Sequence, residues 1–205
     1  MLIKKTVEEF IGQSASDAPT PGGGGIAALA GSLGAAMASM AANFTVGRKK
    51  FVDVEEEVKA ILGRLAPLIA SLRDAVDGDA VAFATISDAF KLPKESEAEK
   101  NVRREAINAA LTAAMQVPAK VVDDCLAAAS LLPRLAQVAN PNLLSDVEVA
   151  AVMLEAAGRA ARINVLVNSS QLGAAAGAVE IDTLRKTQQT RQLMDEALAE
   201  VAKRR

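Results

Sequence analysis

The chain has 205 residues, 51% of them apolar, with 23 basic against 25 acidic side chains and a net charge of −2. That length and apolar content suffice for one good core without staples, and the balanced charge carries no electrostatic footprint for nucleic acid. There is no histidine and a single cysteine, Cys125, which excludes His-dependent triads, imidazole acid–base catalysis, most zinc sites, an internal disulfide and a cysteine-held metal cluster.

The apolar residues are mostly Ala, Leu and Val, with five Phe and neither Trp nor Tyr. Such a composition favours closely packed helices over a thick aromatic core. Apolar spacing is near 3.6 and alternating β-branched runs are absent. The expected fold is therefore all-α: a single-domain bundle over residues 1–205 of long, partly kinked antiparallel helices. The N-terminus, Met1 to Phe10, is amphipathic and carries acids early, unlike a signal peptide. A capping box, Thr6 with Glu9, opens the first helix, which ends between Ser14 and Ala18.

The second helix runs from about Gly25 to Thr45. Ala27, Gly31, Ala35, Ala38 and Ala42 share one face of it and let another backbone come close. The uncharged stretch from Ala18 to Gly47 is long enough to raise a membrane question. Its Ala, Gly and Ser content fits a buried central helix better. Gly47 is a plausible stop, followed by Arg48, Lys49 and Lys50, which suit the negative end of the helix dipole. The third helix starts at a second capping box, Asp53 with Glu56, and reaches Phe90, kinked at Pro67 and weakened at Gly78. Ser96 with Glu99 is a third capping box. The fourth helix continues to about Asn140, disturbed at Pro118 and Pro133. After a break at Asn140-Pro141-Asn142, Ser145 with Glu148 opens a helix to about Asn168. Residues 169–179 form a loop or weak turn, and a charged helix covers Ile181 to Lys203.

Three polar places stand out. Pro19-Thr20-Pro21-Gly22-Gly23-Gly24-Gly25 leads into the second helix. Four glycines bare the backbone, and a helix start offers unpaired N–H groups with a positive dipole end. That suits an anionic or polarisable group; the plain alternative is a loop ahead of a core helix. The run is neither a nucleotide-hydrolase phosphate loop, since Ile26 follows Gly25, nor a Rossmann turn, since no strand precedes it. Asn43 with Arg48, Lys49 and Lys50 is the second place, either a solvated helix end or a clamp for a carboxylate. Asn142, Ser145, Asp146, Asn164 and Asn168 make the third. The amides of Asn164 and Asn168, four apart, project from one helix face, to read a heterocycle or to bond between helices. Ser145 reads better as a cap. Asp79 precedes the apolar Ala80-Val81-Ala82-Phe83, where a carboxylate gains a raised pKa and can act as acid or base, unless it is solvated.

The stretch Ala18 to Gly25, then an Ala/Gly/Met helix, then Asn43-Phe44-Thr45-Val46-Gly47-Arg48-Lys49-Lys50-Phe51, resembles the formiminotetrahydrofolate cyclodeaminase/methenyltetrahydrofolate cyclohydrolase family. Asp77 to Phe83, Ala89 to Lys94, Asn142 to Asp146 and Asn164 to Asn168 match in the same order, so the resemblance covers about residues 5–170. Arg48 departs from the lysine common at its position.

The resemblance implies an all-helical, cytoplasmic homodimer that binds a tetrahydrofolate, with no membrane or nucleic-acid partner. It implies no metal and no cofactor beyond the tetrahydrofolate that carries the substrate carbon. Two reactions follow from it: hydrolysis of 5,10-methenyltetrahydrofolate to 10-formyltetrahydrofolate, placed first, and closure of 5-formiminotetrahydrofolate to the methenyl form with loss of ammonia. Both pass through a tetrahedral carbon bridging N5 and N10. Without histidine, a carboxylate is the natural proton shuttle, and Asp79 or Asp146 is expected in that role. Lys49 is expected as an acid or as a tether for the glutamate tail, with Arg48 and Lys50 beside it. Thr20, Pro21 and Gly22 to Gly25 would let the substrate approach the backbone. Asn43, Asn142, Ser145, Asn164 and Asn168 would orient it. A non-catalytic ligand-binding bundle is the remaining alternative.

Overall fold

The computed structural model describes the backbone of residues 1–205 and every side chain but that of residue 174. Seven α-helices follow one another: α1 (Val7–Ser14), α2 (Gly23–Asn43), α3 (Glu55–Phe90), α4 (Glu97–Ala129), α5 (Leu132–Val138), α6 (Leu144–Ser169) and α7 (Gly177–Ala202), with short 3-10 turns between them. No strand occurs among the described residues. The chain is all-α, as its periodicity predicts.

Helices α2, α3, α4 and α6 form a ring in which each packs on the next, and α7 lies outside against α6, α5 and α4. Neighbours in the ring run antiparallel. Ser32 Oγ donates to the Ile69 carbonyl at 3.2 Å, and Ser71 Oγ donates to Asp124 Oδ2 at 2.6 Å, so residue numbers rise along one helix as they fall along the next. Asp124 is buried and also takes an ion pair from Lys120, so this interior charge is compensated.

The small-residue face of α2 does what its spacing suggests. Ala27, Ala35, Ala38 and Ala42 are fully buried. A Cβ on Gly31 would lie 3.0 Å from Cys125 Sγ and 3.1 Å from Leu72 Cδ2, and one on Gly34 would lie 3.0 Å from Met153 Cβ and 3.2 Å from the Leu154 nitrogen. By length and composition α2 could cross a membrane, yet 56% of its apolar window is buried inside the bundle. Burial also raises the Cys125 thiol pKa to about 12, leaving it an inert core residue.

Two of the four capping boxes form. The Thr6 N–H donates to Glu9 Oε2 at 2.8 Å and the Glu9 N–H to Thr6 Oγ1 at 3.2 Å; Ser96 and Glu99 repeat the pattern. The other two do not. Asp53 sits in the 3-10 turn Lys49–Val54, so Val54 precedes α3 and Glu55, Glu56 and Glu57 face its positive end instead. Ser145 is already inside α6, because the turn Pro141–Leu143 runs straight into that helix; Asn140 caps the turn through the Asn142 N–H at 3.1 Å. Pro67 and Pro118 leave α3 and α4 unbroken, whereas Pro133 starts α5, where its missing N–H costs nothing. The last helix begins at Gly177, inside the expected loop. Its C-terminal end is not merely solvated: the Arg204 guanidinium donates to the Ala136 and Ala139 carbonyls at 2.6 and 2.9 Å, closing the end of α5.

Gly34→Val should lower unfolding free energy by about 2–3 kcal/mol through overpacking against α6. Urea titration followed by circular dichroism would measure it; unchanged stability would show that the two backbones can separate freely.

Candidate active site

The glycine run is not a loop. Gly22 is the N-cap of α2, and Gly23, Gly24 and Gly25 are its first turn. Gly22 has no side chain to close the exposed N–H groups, so a side chain from another helix does so. Asp79 Oδ2, on α3, accepts from the Gly25 N–H at 2.9 Å. The fit demands bare backbone: a Cβ on Gly24 would fall 2.1 Å from Asp79 Oδ1, and one on Gly23 would fall 3.2 Å from Asn164 Oδ1. Gln13 Nε2 holds the approach by donating to the Thr20 carbonyl at 2.6 Å.

Around this contact lies a cleft of about 210 Å³, lined by Pro19, Thr20, the glycines, Asp79, Phe83, Asn164 and Asn168. Asp79 is half-buried. Loss of solvation raises its pKa from the ordinary 3.8, opposed by the Gly25 N–H. A carboxylate with raised affinity for a proton, in a cleft at the start of an uncharged helix, is suited to acid–base work. Asn164 Nδ2 donates to the Ala160 carbonyl at 3.0 Å, and the whole amide lies against Gly23, where a Cβ would meet its oxygen at 3.2 Å and its nitrogen at 3.3 Å.

The remaining expected residues collect at the other end of α2. Arg48, Lys49, Lys50 and Asn142 line a cleft of about 690 Å³ together with Gly47, Phe51 and Asn140. Asn140 and Thr45 build it: the Asn140 N–H donates to the buried Thr45 Oγ1 at 2.9 Å, and Gly47 turns the chain with φ +72°. Asp146 lies in the first turn of α6 at this end, and Ser145 is exposed beside it. Asn43 is exposed and its amide donates back to the Ser39 carbonyl at 2.9 Å. α2 has 21 residues, so about 30 Å separates the two clefts. Within one chain, Asp79 and Asp146 do not reach the same carbon.

Several lining residues escaped sequence reading. Ala82, Phe83 and Ile86 face the cleft with Asp79. Their spacing of three, four and seven from Asp79 was the available signal. Asn140, by contrast, reads only as a chain break. A larger hollow of about 700 Å³ lies between α6 and α7, where the buried Glu155 stands between Arg159 and Arg191 at 3.5 and 3.8 Å.

A sequence profile of the formiminotransferase-cyclodeaminase family matches residues 6–200. The chain belongs to that family. It is 39% identical over 180 residues to a Methylorubrum extorquens protein named methenyltetrahydrofolate cyclohydrolase, covering 88% of this chain and 86% of that one. It is 35% identical over 167 residues to the formimidoyltransferase-cyclodeaminase of Rattus norvegicus, covering 82% of this chain but 31% of the rat protein, so this family unit spans about a third of that relative. The crystal structure of formiminotetrahydrofolate cyclodeaminase from Thermotoga maritima superposes with a TM-score of 0.82 at 28% identity, covering 100% of this chain and 97% of that one.

Two predictions follow from the Asp79 contact. A folded state that raises a carboxyl pKa above its unfolded value gains stability as pH falls through the raised value toward 3.8. Asp79→Asn should therefore be at least as stable as the parent at pH 7, with the difference closing toward pH 4; a large loss at pH 7 in thermal melts would contradict this. Gly24→Ala should displace the carboxylate and lower turnover at least ~100-fold, the scale of a lost acid–base group, while circular dichroism stays helical. Full activity in that variant would show that the contact is dispensable.

Proposed function

We propose that the protein is a methenyltetrahydrofolate cyclohydrolase that converts 5,10-methenyltetrahydrofolate to 10-formyltetrahydrofolate. The observation that carries this is Asp79: a half-buried carboxylate with a raised pKa, anchored at the bare N-terminus of α2 and facing Asn164. The identity with the Methylorubrum cyclohydrolase over most of both chains supports the same substrate.

The substrate carbon is an amidinium bridge between N5 and N10. Water adds to it and passes one proton to Asp79, forming a neutral tetrahedral carbon that bears a hydroxyl. The N5–carbon bond then breaks with its electrons going to N5. N5 takes a proton from Asp79 while the hydroxyl loses its own to solvent, leaving the formyl group on N10. One water is consumed and one proton released. Gly25 holds one Asp79 oxygen, which leaves the other to exchange the proton. Free N–H groups of the first α2 turn would steady charge on the tetrahedral oxygen, and Asn164 and Asn168 would orient the pterin. Lys49, Arg48 and Lys50 would hold carboxylates of the glutamate tail as charged hydrogen-bond donors. The working protein is a cytoplasmic homodimer under this proposal, and its single helical unit needs no metal.

The likeness to the Thermotoga cyclodeaminase favours one second reading, the deaminating closure of 5-formiminotetrahydrofolate. There the same carbon loses ammonia, and Asp79 would protonate the departing amine.

Loss of 5,10-methenyltetrahydrofolate absorbance well above the buffer rate is the expected result; no loss, with turnover of the formimino substrate, would establish the second reading instead. Asp79→Asn should lower kcat ~100-fold or more with KM little changed. In the parent, the acid limb of kcat/KM should fall above pH 3.8, because the ionised base is lost as pH drops through its raised pKa. An unchanged kcat in Asp79→Asn would remove it from the mechanism.

A further inference from the structure

The glycine–aspartate cleft, at about 210 Å³, is smaller than the ~300 Å³ at which ligand pockets begin. Its only charged lining residue is Asp79, yet a tetrahydrofolate ends in two carboxylates. The Arg48–Lys50 turn lies at the far end of α2, about 30 Å off by helix length, beyond a monoglutamate bound in the same chain.

A second basic cleft lies next door. It has a volume of about 290 Å³, and Phe90, Lys94, Lys100, Arg103, Arg104 and Gln171 are among its lining residues, with no acid. Three elements carry one cleft into the other. Ile86 lines the first and Phe90 the second on α3; Ala114 and Ile107 do so on α4, and Asn168 and Gln171 at the end of α6. The step on α3 is four residues, about 6 Å. A small core of Ala89, Ile107, Ala110 and Leu111 fixes α3 against α4 there. Joined, the two hollows fall within the ~300–1,000 Å³ usual for a ligand site.

The passage between them is aromatic. Asp79, Phe83, Ile86 and Phe90 follow at intervals of four, three and four, which is one face of α3. Phe83 is 45% and Phe90 42% exposed, an unusual placement in a chain with five Phe. The Arg103 guanidinium lies 5.5 Å from the Phe90 ring centre and donates to the Phe90 carbonyl at 3.3 and 3.2 Å, so it is held in place without an acid. The nearby acids are engaged elsewhere. Glu97 pairs with Lys100 at 2.7 Å, Asp88 with Lys91 at 2.7 Å, and Glu99 accepts from the Glu95 and Ser96 N–H groups. Among the described residues, Lys94, Arg103 and Arg104 have no carboxylate partner.

We infer that this α3/α4 cleft is the glutamate subsite of the same chain's active site. The aminobenzoyl ring lies along Phe83 and Phe90, where aromatic faces can stack or meet edge to face. Lys94, Arg103 and Arg104 then donate to the α- and γ-carboxylates, three cations against two anions. The inference rests on the proposed function, which puts the pterin and the reacting carbon beside Asp79. It makes the subsite a determinant of specificity: a folate without its glutamate keeps the chemistry and loses the anchor.

The test crosses tail with clamp. 5,10-Methenyltetrahydrofolate is compared with an analogue cut back to a benzoyl methylamide, which has no carboxylate. Lys94→Ala with Arg104→Ala, both at exposed positions, should raise KM for the full substrate ~10- to 100-fold, the scale of a lost charge-assisted hydrogen bond, with kcat little changed. The analogue should bind the parent protein that much more weakly and should not respond to the substitutions. Added salt should raise KM for the full substrate only. The charge-keeping pair Lys94→Arg with Arg104→Lys should retain most of the affinity. An unchanged KM for the full substrate, or an equal response of both substrates, overturns the inference. So does tail discrimination that disappears instead in Lys49→Ala with Lys50→Ala. Calorimetric binding of tetrahydrofolate and its methylamide analogue, neither of which carries the reacting carbon, repeats the comparison without turnover. Tail discrimination that the Lys94/Arg104 change abolishes, in a wild type that turns over neither the methenyl nor the formimino substrate, keeps the subsite and removes the proposed reaction. Turnover without tail discrimination does the reverse, and no binding of tetrahydrofolate removes both.

Discussion

The close approach of α2 to α3 and α6 is the constraint on which the rest of this molecule rests. Gly31 and Gly34 leave no room for a β-carbon, and the buried alanines around them keep the backbones near one another. Dispersion contacts between such small groups are individually weak, so they gain from dense packing along the whole of a long helix. A core made this way needs no aromatic bulk, which accounts for the absence of Trp and Tyr.

The same closeness builds the site. Because α2 and α3 approach so tightly, the Asp79 carboxylate arrives at the first turn of α2, where it would collide with any residue except glycine at position 24. The contact satisfies one N–H that the glycine cap leaves open. It also takes the carboxylate partly out of water and raises its pKa. Packing, helix termination and acid–base character therefore share one set of atoms. Gly24, and less sharply Gly23, is a requirement of an occupied space rather than a source of flexibility.

The two ends of α2 carry complementary chemistry. One end offers bare N–H groups, a proton carrier and the Asn164 and Asn168 amides; the other offers three cations and the Asn140 and Asn142 amides. Antiparallel packing with α6 repeats the polarity, since Asn164 meets the glycines while Asp146 lies at the basic end. The helices form a scaffold that holds two polar clefts at fixed separation.

The helical class, the small-residue seam and the capping boxes at Thr6 and Ser96 were legible in the sequence, because 3.6 periodicity and local hydrogen bonds act over a few residues. So was the raised affinity of Asp79 for protons, read from its apolar neighbours. The caps at Asp53 and Ser145 were misread because 3-10 turns that end in Val54 and Leu143 move the helix starts by one or two residues, a choice made by packing. The meeting of Asp79 with Gly25, 54 positions away, and the parting of Asp79 from Asp146 belong to the tertiary structure alone. The sequence by itself determined which groups are available and which helix face each occupies. Only the antiparallel ring decided which of them share a cleft, since proximity between distant residues arises from helices packing at close range and from nothing local.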